Sequence, residues 1–483
     1  MNQMSPPFGL AAHSRQVQRD LEWLGLPPAN WTATVMGVNQ TAMTDVVVIG
    51  AGMCGLAAAA ALLFKGVRNI CVLDRAPEGA EGPWLTYARM RTLRSPKHLP
   101  GIALGIPSLT YRAFHTACYG AESWEALYKI SNADWMAYLR WFRAVLALPV
   151  ENGVDVVAVA PADDHLVLTL ADGRTIEARR VVVATGRPGA GGMALPEFVA
   201  RDLWPGHAAH TGEAIDFARL AGRRVAVLGA GPSAWDNAAA ALEAGAARVE
   251  MYVRRAALPQ INKGRGSSNP GFFEGWATLS DAERWKILVY KEDVQSPPPH
   301  ESVLRATAHA NFAAHLATPV QSARREGDAV ALVLGPDGRA AQTDFLIVGT
   351  GFAVDPVALP EWANLLDHAA TWADRYTPPP DLMRPGLGRF PYLGPDFALC
   401  ERTPGECPAL ARVHLFNHAA FASLGAIASD IPGVSTGAER LASRVAQAFF
   451  RDDLPHMMQR LEAFAEPELQ GTPFFVPSAF TAG

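Results

Sequence analysis

The sequence predicts an α/β fold built from two Rossmann-like, doubly wound domains, the second inserted into the first. Two observations lead to this fold class. Short apolar strands run directly into glycine-rich turns at residues 50–55 and again at residues 229–234. Each turn opens an alanine-rich helix that is followed by a second strand, which is the βαβ arrangement of dinucleotide-binding units. A chain of 483 residues also exceeds one ordinary hydrophobic core.

The elements follow one another in the order that an inserted domain requires. The first unit, at residues 45–75, is followed by a helical stretch at 122–146, a β-meander at 154–159 and 166–170, and a strand at 180–186. The second unit, at 223–255, is followed by a helix at 280–290 within loops and by a second meander at 329–334 and 341–348. Because the strands at 180–186 and 341–348 both end in glycine turns, we expect the chain to cross between the domains there.

The expected domain boundaries place an arm before the first strand and a tail after the last helix. Residues 13–24 of the arm have the spacing of an amphipathic helix, which Gly25 would stop. The divisions are an N-terminal arm (1–44), the first part of the first domain (45–190), the second domain (191–330), the second part of the first domain (331–450) and a C-terminal helix and tail (451–483).

The composition is that of an ordinary globular protein, with 49% hydrophobic and 18% charged residues and a net charge of −5. No basic block or acidic tail is present, which argues against nucleic acid or a membrane as the main partner. No secretory signal is recognisable, and the longest apolar run is far short of the ~20 residues that span a bilayer. Five cysteines without a CxxC pair fit a reducing cytoplasm and exclude a redox disulfide. The scattered histidines predict no metal site.

The first glycine turn has the residues that a dinucleotide site needs. Gly50 permits the tight turn, Gly52 lets the backbone approach a pyrophosphate, and Gly55 lets the helix pack against the strand. The phosphates would then lie at a helix N-terminus. Asp74 ends the second strand, beside Arg75, where a carboxylate accepts hydrogen bonds from a ribose diol. This unit is therefore predicted to bind FAD.

The second turn differs in the residues that end its second strand. Gly229, Gly231 and Ser233 repeat the turn and the helix start, but Arg254 and Arg255 stand where Asp74 and Arg75 stand in the first unit. An arginine at this position binds a 2′-phosphate, so the second unit is predicted to bind NADPH. The two arginines do not exclude NADH. A protein that holds both sites is expected to pass hydride from one cofactor to the other.

Further segments resemble the class B flavin-dependent monooxygenases, which include N-hydroxylating, S-oxidising and Baeyer–Villiger enzymes. The segments are Glu-Gly-Pro-Trp at 81–84, Val-Ala-Thr-Gly at 183–186 and residues 344–352. The resemblance implies that Trp84 lies beside the flavin and that Gly186, Gly351 and Phe352 contact the cofactors. Residues 204–210 resemble the FxGxxxH fingerprint of the family, with Trp in place of Phe, but they do not continue as in the Baeyer–Villiger subgroup.

Candidate catalytic residues come from two segments that resemble flavin-contacting parts of this family. Members often carry a TNxPK-like segment, and here Arg94 stands at the asparagine position and Lys97 at the lysine position. Both lie in a basic loop expected to face the flavin, where they would bind the flavin or a substrate carboxylate; a structural ion pair is the alternative. Asn417 begins a segment like the C-terminal flavin-contacting segment of the amino-acid N-hydroxylases, and a loop packed between domains is its alternative. His418 alone is interpreted as a hydrogen-bonded core histidine.

The resemblance implies an FAD- and NADPH-dependent monooxygenase that oxygenates a small polar substrate through a C4a-(hydro)peroxyflavin. N-hydroxylation is the first expectation, and hydroxylation of an electron-rich heterocycle such as urate is the alternative. A reductase that passes electrons to a partner, and a non-catalytic dinucleotide sensor, are the other two classes. The expected partners are a small-molecule substrate and O₂, and a homodimer is compatible with the sequence.

Overall fold

The computed structural model describes residues 8–38 and 40–476. Its strands are, in chain order, Thr44–Ile49 (β1), Ile70–Asp74 (β2), Val150–Asn152 (β3), Val156–Pro161 (β4), Leu166–Leu170 (β5), Thr175–Val183 (β6), Ala208–His210 (β7), Arg224–Leu228 (β8), Arg248–Tyr252 (β9), Phe312–His315 (β10), Val320–Glu326 (β11), Ala329–Leu334 (β12), Arg339–Thr343 (β13), Phe345–Val348 (β14) and Val413–Leu415 (β15).

The α-helices alternate with these strands in the two dinucleotide units and cluster elsewhere. They are Phe8–Trp23 (α1), Met53–Phe64 (α2), Tyr111–Tyr119 (α3), Ala121–Ala126 (α4), Asn132–Val145 (α5), Pro232–Glu243 (α6), Lys263–Gly266 (α7), Pro270–Gly275 (α8), Asp281–Val294 (α9), His300–Thr307 (α10), Ala363–Leu366 (α11), Trp372–Arg375 (α12), Pro385–Gly388 (α13), Phe421–Leu424 (α14), Val434–Asp452 (α15) and Leu454–Ala463 (α16). None of these helices is long and apolar enough to cross a membrane.

The first domain is built on a seven-stranded sheet. Its order is β3-β2-β1-β6-β5-β4, and β15 also pairs with β6. The pairs of β1 with β2 and with β6 are parallel, whereas β4, β5 and β6 form an antiparallel meander. The alanine-rich α2 packs against α15, because its small side chains allow a close approach of the two helices. This layer of sheet and helices forms the largest hydrophobic core of the described residues.

The second domain is a parallel sheet of five strands in the order β10-β9-β8-β14-β7. Helix α6 packs against α10 beside this sheet. The predicted fold class, with one doubly wound domain inserted in another, is confirmed. The strand β14 pairs with β8, so the sheet continues past residue 330, where the sequence analysis ended the second domain. A separate three-stranded antiparallel sheet, β11-β12-β13, lies between β10 and β14 in the chain.

Two predicted elements are each divided in two. The helical stretch expected at 122–146 is α4 and α5, because the Ser131 hydroxyl accepts a hydrogen bond from the Asp134 amide and so caps a new helix. The strand expected at 341–348 is split between β13 and β14, which belong to different sheets. The amphipathic helix expected in the N-terminal arm is confirmed as α1, which packs against α3.

The two chain crossings between the domains run side by side as one ribbon. Three backbone hydrogen bonds join them, from the amide of Ala194 to Gly351, from Ala353 to Gly192 and from Asp355 to Ala190, at 2.9, 3.0 and 2.9 Å. We call residues 190–194 and 351–355 the crossing ribbon. It lies at the end of β6 on one side and of β14 on the other, where both sheets present their carboxyl edges.

A further core of the described residues is rich in tryptophan. Trp276 and Trp285 come from the region after the second dinucleotide unit, while Trp372 comes from the returning chain. The Trp276 indole donates a hydrogen bond to the carbonyl of Ala422 at 3.2 Å, and the Trp372 indole donates to the Ser423 hydroxyl at 3.0 Å. The region around α8 and α9 is therefore fixed against the segment that contains α14.

Both ends of the first domain are tied by a buried ion cluster. The Arg179 guanidinium on β6 contacts the carboxylate of Asp45 at 3.1 Å and that of Asp453, which joins α15 to α16, at 2.5 Å. All three side chains are less than a tenth exposed. Burial raises the pKa of Asp45, opposed by hydrogen bonds from Thr32 and the charge of Arg179.

Candidate active site

One cleft of about 1930 Å³ runs along the carboxyl ends of both parallel sheets. It is lined by the glycine turn after β1, by the turn after β8 and by the two chain crossings. In open α/β sheets the ligand site lies outside the carboxyl ends of the strands, so this is where the fold places cofactors. The cleft is large enough for two dinucleotides and a small substrate.

The first glycine turn is packed so closely that a side chain would not fit. Gly50 has φ of +103°, and a Cβ there would lie 2.6 Å from the carbonyl oxygen of Ala184. A Cβ on Gly55 would lie 1.7 Å from the carbonyl oxygen of Gly50. Helix α2 follows Gly52 without a side-chain cap, so its first amides remain available to an anion in the cleft. These are the features of a pyrophosphate cradle.

Asp74 lies next to this turn, at the end of β2, and lines the cleft. Its two carboxylate oxygens accept hydrogen bonds from the amides of Ala51 at 2.7 Å and Ala76 at 2.8 Å. Burial raises its pKa, against these two hydrogen bonds. Each oxygen keeps a further lone pair, so the carboxylate can still accept from a ribose diol. Arg75 lines the same end of the cleft.

Trp84 supplies a donor that has no partner within the protein. Its indole Nε1 is buried at the cleft wall and makes no hydrogen bond to any described residue. A buried N–H without an acceptor is costly, and a bound group with an acceptor would relieve that cost. Together with the first turn and Asp74, this orphaned donor fits the FAD that the sequence predicts.

The second glycine turn repeats this geometry at the other end of the cleft. Gly229 has φ of +102°, and a Cβ there would lie 2.6 Å from the carbonyl oxygen of Gly349. Helix α6 follows Gly231 without a side-chain cap, and Ser233 in its first turn lines the cleft. The turn therefore presents free amides to a second pyrophosphate.

A cluster of cations surrounds this second turn. Arg254, Arg255, Lys263 and Arg265 all line the cleft. In the described part of the chain, no carboxylate lies within 4.0 Å of any of them. Unpaired cations beside a pyrophosphate cradle are suited to a further phosphate, as in NADPH.

The fingerprint histidine lies behind the cleft wall and contacts a residue that lines the cleft. His210 ends β7, is completely buried and does not line the cleft. Its ring lies 5.6 Å from that of Phe352, which does line the cleft and also contacts Tyr87 at 5.9 Å. Burial lowers the pKa of His210. Gly186 and Gly351, with φ of +68° and +82°, form the turns that place these crossings along the cleft wall.

The basic loop does not present free cations to the cleft. Arg94 lines the cleft, but its guanidinium is paired at 2.8 Å with the buried Asp236 on α6 of the second domain. Lys97 does not line the cleft: its ammonium donates to the carbonyls of Trp124 at 2.6 Å and Glu125 at 3.1 Å. The position of Lys97 therefore gives no support to the predicted catalytic role. The contact of Arg94 with Asp236 corresponds to the structural ion pair that the sequence left open as the alternative.

Asn417 is a positioning residue by its contacts. It is 1% exposed and does not line the large cleft. Its amide nitrogen donates to the Thr185 hydroxyl and to the Gly189 carbonyl, both at 3.2 Å, and its Oδ1 caps the turn at Ala419. It thus binds the crossing after β6 to the segment before α14. These hydrogen bonds are made within the protein, and the predicted contact of Asn417 with a flavin stays a prediction.

His418 follows Asn417 and faces the cleft. Burial, and then the charge of Arg187, hold the pKa of this histidine well below its usual value. Its Nδ1 is 3.5 Å from the Ser429 hydroxyl. The ring is neutral at physiological pH, which argues against a general base. The sequence interpreted His418 as a core histidine, whereas the structure places it at the cleft wall.

Lys291 is a cleft residue that sequence reasoning missed. It lies in the last turn of α9, one residue beyond the predicted end of that helix. Its Nζ lies 5.6 Å from the ring centre of Phe421 and 5.7 Å from that of Phe272. Burial lowers its pKa, and Asp430 opposes this shift. Only the packing of α9 on α14 reveals it, so no local pattern could have found it.

The cysteines of the described chain are all free thiols. Cys54 lies in the cleft wall at the first turn, where burial raises its pKa to about 12, so it is a neutral thiol. Within residues 8–38 and 40–476 no group of three or more His, Cys, Asp or Glu side chains could hold a metal ion.

Known proteins share both the sequence and the fold. A family model described as pyridine nucleotide-disulphide oxidoreductase matches residues 47–268. An FAD-dependent urate hydroxylase from Xanthomonas campestris pv. campestris is 43% identical over 429 residues, which cover 88% of this chain and 90% of that relative.

Two solved structures have the same fold over most of this chain. The ornithine N-hydroxylase from Kutzneria sp. 744 has a TM-score of 0.66 at 18% identity and covers 84% of this chain and 99% of its own. The ornithine hydroxylase from Pseudomonas aeruginosa has a TM-score of 0.65 at 16% identity, with the same coverage. At these identities the likeness is one of fold.

Proposed function

Because the chain belongs to the class B flavin-dependent monooxygenases, we propose that it hydroxylates urate with FAD, NADPH and O₂. The observation that carries the substrate is the 43% identity to a urate hydroxylase over nine-tenths of that relative. Overall, urate, O₂, NADPH and a proton give hydroxylated urate, NADP⁺ and water. One oxygen atom enters the substrate, and the other leaves as water with the two electrons of the hydride.

The residues at the two glycine turns form two cofactor-binding groups, one for each cofactor. Gly50, Gly52 and Asp74 hold the pyrophosphate and ribose of FAD, while Gly229 and Gly231 hold the pyrophosphate of NADPH. Bound FAD supplies the ring that accepts hydride and activates oxygen. Because both glycine turns line one cleft, the protein would hold the two cofactors in the same cleft and would exclude water from the reacting groups.

The part of the cleft away from both glycine turns suits a planar heterocycle. Phe390, His418 and Phe421 form its wall, and the rings of His418 and Phe421 stack with centres 5.6 Å apart. Flat aromatic surfaces bind flat ligands by stacking and by removal of apolar surface from water. We call this part of the cleft, with Lys291, the aromatic end.

N-hydroxylation of an amine is the competing proposal from the sequence. The likeness to ornithine hydroxylases is one of fold at 16–18% identity, so it does not select an amine. The test compares both substrate classes directly. Purified holoenzyme is supplied with NADPH in air and with urate, ornithine, lysine or cadaverine. Oxidation of NADPH, loss of urate, hydroxylamine products and hydrogen peroxide are measured together.

The expected result is loss of urate and NADPH in equal amounts with little peroxide, and no product from the amines. Hydroxylamine formation without loss of urate would replace the proposal by N-hydroxylation. Stoichiometric peroxide with every compound would favour a reductase or oxidase. As a control, Gly229→Val should keep bound FAD but lose reduction by NADPH, because a side chain at this turn collides with Gly349. Reduction by dithionite should remain intact.

A further inference from the structure

The aromatic end of the cleft carries a cation that contacts two aromatic rings but forms no hydrogen bond or ion pair with the described residues. The ammonium of Lys291 lies over two ring faces, 5.6 Å from Phe421 and 5.7 Å from Phe272. In the described part of the chain its Nζ has neither a hydrogen-bond acceptor nor a carboxylate within 4.0 Å. Ring faces attract a cation through their quadrupole, but they do not replace strong acceptors for the three N–H donors of an ammonium. The unmet donors lie at a cleft wall.

The helix that carries Lys291 is rigidly placed. Ser280 and Glu283 form a capping box at the start of α9. The Arg284 guanidinium donates to the Ser423 carbonyl at 2.9 Å, and the Trp285 indole donates to the Leu382 carbonyl at 2.8 Å. The bond of Arg284 joins α9 to α14, and that of Trp285 joins α9 to residues 380–382, so Lys291 and the ring of Phe421 are held in their relative position. A donor that is fixed before binding costs little entropy when a ligand arrives.

The charges around Lys291 leave it available. Asp430, across the cleft wall, lies 3.8 Å from the guanidinium of Arg187 and so already has a cation beside it. His418 is neutral, as its lowered pKa indicates. Glu292 follows Lys291 on α9 and also lines the cleft, but its side chain is exposed to solvent, where its charge is screened. The cation that faces the aromatic end without a partner is therefore Lys291.

We propose that Lys291 binds the negative charge of the substrate and makes the enzyme selective for planar anions. The heterocycle lies against the stacked rings of His418 and Phe421, and its anionic edge accepts hydrogen bonds from the ammonium. Naming the anion as urate, which carries one negative charge at neutral pH, rests on the proposed function. The anion site itself rests on the unpaired cation and the flat wall beside it.

The test separates charge recognition from general damage to the site. Lys291→Met removes the charge and keeps the length of the side chain. Lys286→Met makes the same change on the same helix, at an exposed position outside the cleft. Binding of oxonate, a planar anion, and hypoxanthine, a planar neutral heterocycle, is followed by the flavin spectrum. The KM for urate and the anaerobic rate of flavin reduction by NADPH are measured alongside.

Lys291→Met should raise the Kd of oxonate and the KM for urate by roughly 10- to 100-fold, as expected for loss of a charge-assisted hydrogen bond. Binding of hypoxanthine and the rate of flavin reduction should stay unchanged. Lys291→Arg should recover most of the oxonate binding, and Lys286→Met should behave as wild type.

Three outcomes would overturn the anion site. These are no oxonate binding by the wild-type enzyme, unchanged oxonate binding in Lys291→Met, and an equal loss of oxonate and hypoxanthine binding. A wild-type enzyme that binds oxonate but does not consume urate would refute the proposed function alone. The oxonate comparison would then still decide the role of Lys291.

Discussion

Replacement of Arg254 by alanine tests whether the second glycine turn selects NADPH. Arg254 is exposed, lies two residues after the end of β9 and lines the same cleft as Gly229. No carboxylate of the described chain pairs with it, so its removal leaves no buried partner uncompensated. The variant therefore changes the interaction with the cofactor and little else.

The size of the effect follows from the exposure of the side chain. A hydrogen bond from a charged donor contributes about 1.5–3 kcal/mol, and exposure to solvent reduces this to about 1–2 kcal/mol. That range corresponds to a factor of about 5 to 30 in Kd. Arg255, Lys263 and Arg265 remain in place, so binding of NADPH is weakened but not abolished.

The assay measures the anaerobic reduction of the bound flavin after rapid mixing of the oxidised enzyme with NADPH or NADH. The Kd of NADPH should rise by the stated factor, while that of NADH, which has no 2′-phosphate, should not change. Arg223→Ala is the matched control, because this exposed arginine precedes β8 at the opposite edge of the sheet. Equal losses for NADPH and NADH, or an equal loss in the control, would refute the assignment.

Three further substitutions test other parts of the structure. Gly50→Ala combines a positive φ with a collision against a carbonyl; it should cost about 1–3 kcal/mol of stability and lower the FAD content, and full FAD retention would contradict this. Arg179→Met leaves two buried carboxylates without a cationic partner and should cost about 3–5 kcal/mol in urea unfolding at neutral pH. Burial already raises the pKa of Asp45 in the folded state, so protonation of this carboxyl at low pH favours folding. The loss of stability in Arg179→Met should therefore become smaller as the pH falls. A loss that does not change with pH would contradict this reasoning. His418→Gln should leave the pH profile of kcat/KM unchanged between about pH 6 and 8, because the pKa of His418 lies well below that window; loss of an inflection would show that His418 titrates there.

The sequence predicted the fold and the cofactor turns because their signals are local. A strand, a glycine turn and a helix follow one another within a few residues, as at Gly50 and Gly229. The positive φ at these two positions favours glycine, so the turn can be recognised from neighbouring residues alone. The prediction of a flavin-dependent monooxygenase is confirmed by the close relative. The roles of the individual cofactor-binding residues remain predictions that the variants above can test.

The substrate end could not be predicted, because its contacts join distant parts of the chain. Arg94 belonged to a loop of apparently free cations, but its partner Asp236 comes from the other domain. Lys97 donates hydrogen bonds to the carbonyls of Trp124 and Glu125. Because these residues lie far from Lys97 in the sequence, their contact could not be predicted from spacing. Lys291 gains its position only when α9 packs on α14. Partner choice of this kind is decided by tertiary structure, not by sequence spacing.

The crossing ribbon has a consequence for how the two domains can move. Two single-chain linkers would let the second domain turn in any direction, whereas backbone hydrogen bonds at Ala194, Ala353 and Asp355 make them one strip. A strip bends easily across its flat face and resists both twisting and sideways shear. We therefore expect the width of the cleft to change by rotation of the second domain about one hinge axis at the crossing ribbon. The distance between the two cofactors and access to solvent would then be tied to one coordinate, so that opening for product release and separation of the cofactors happen together.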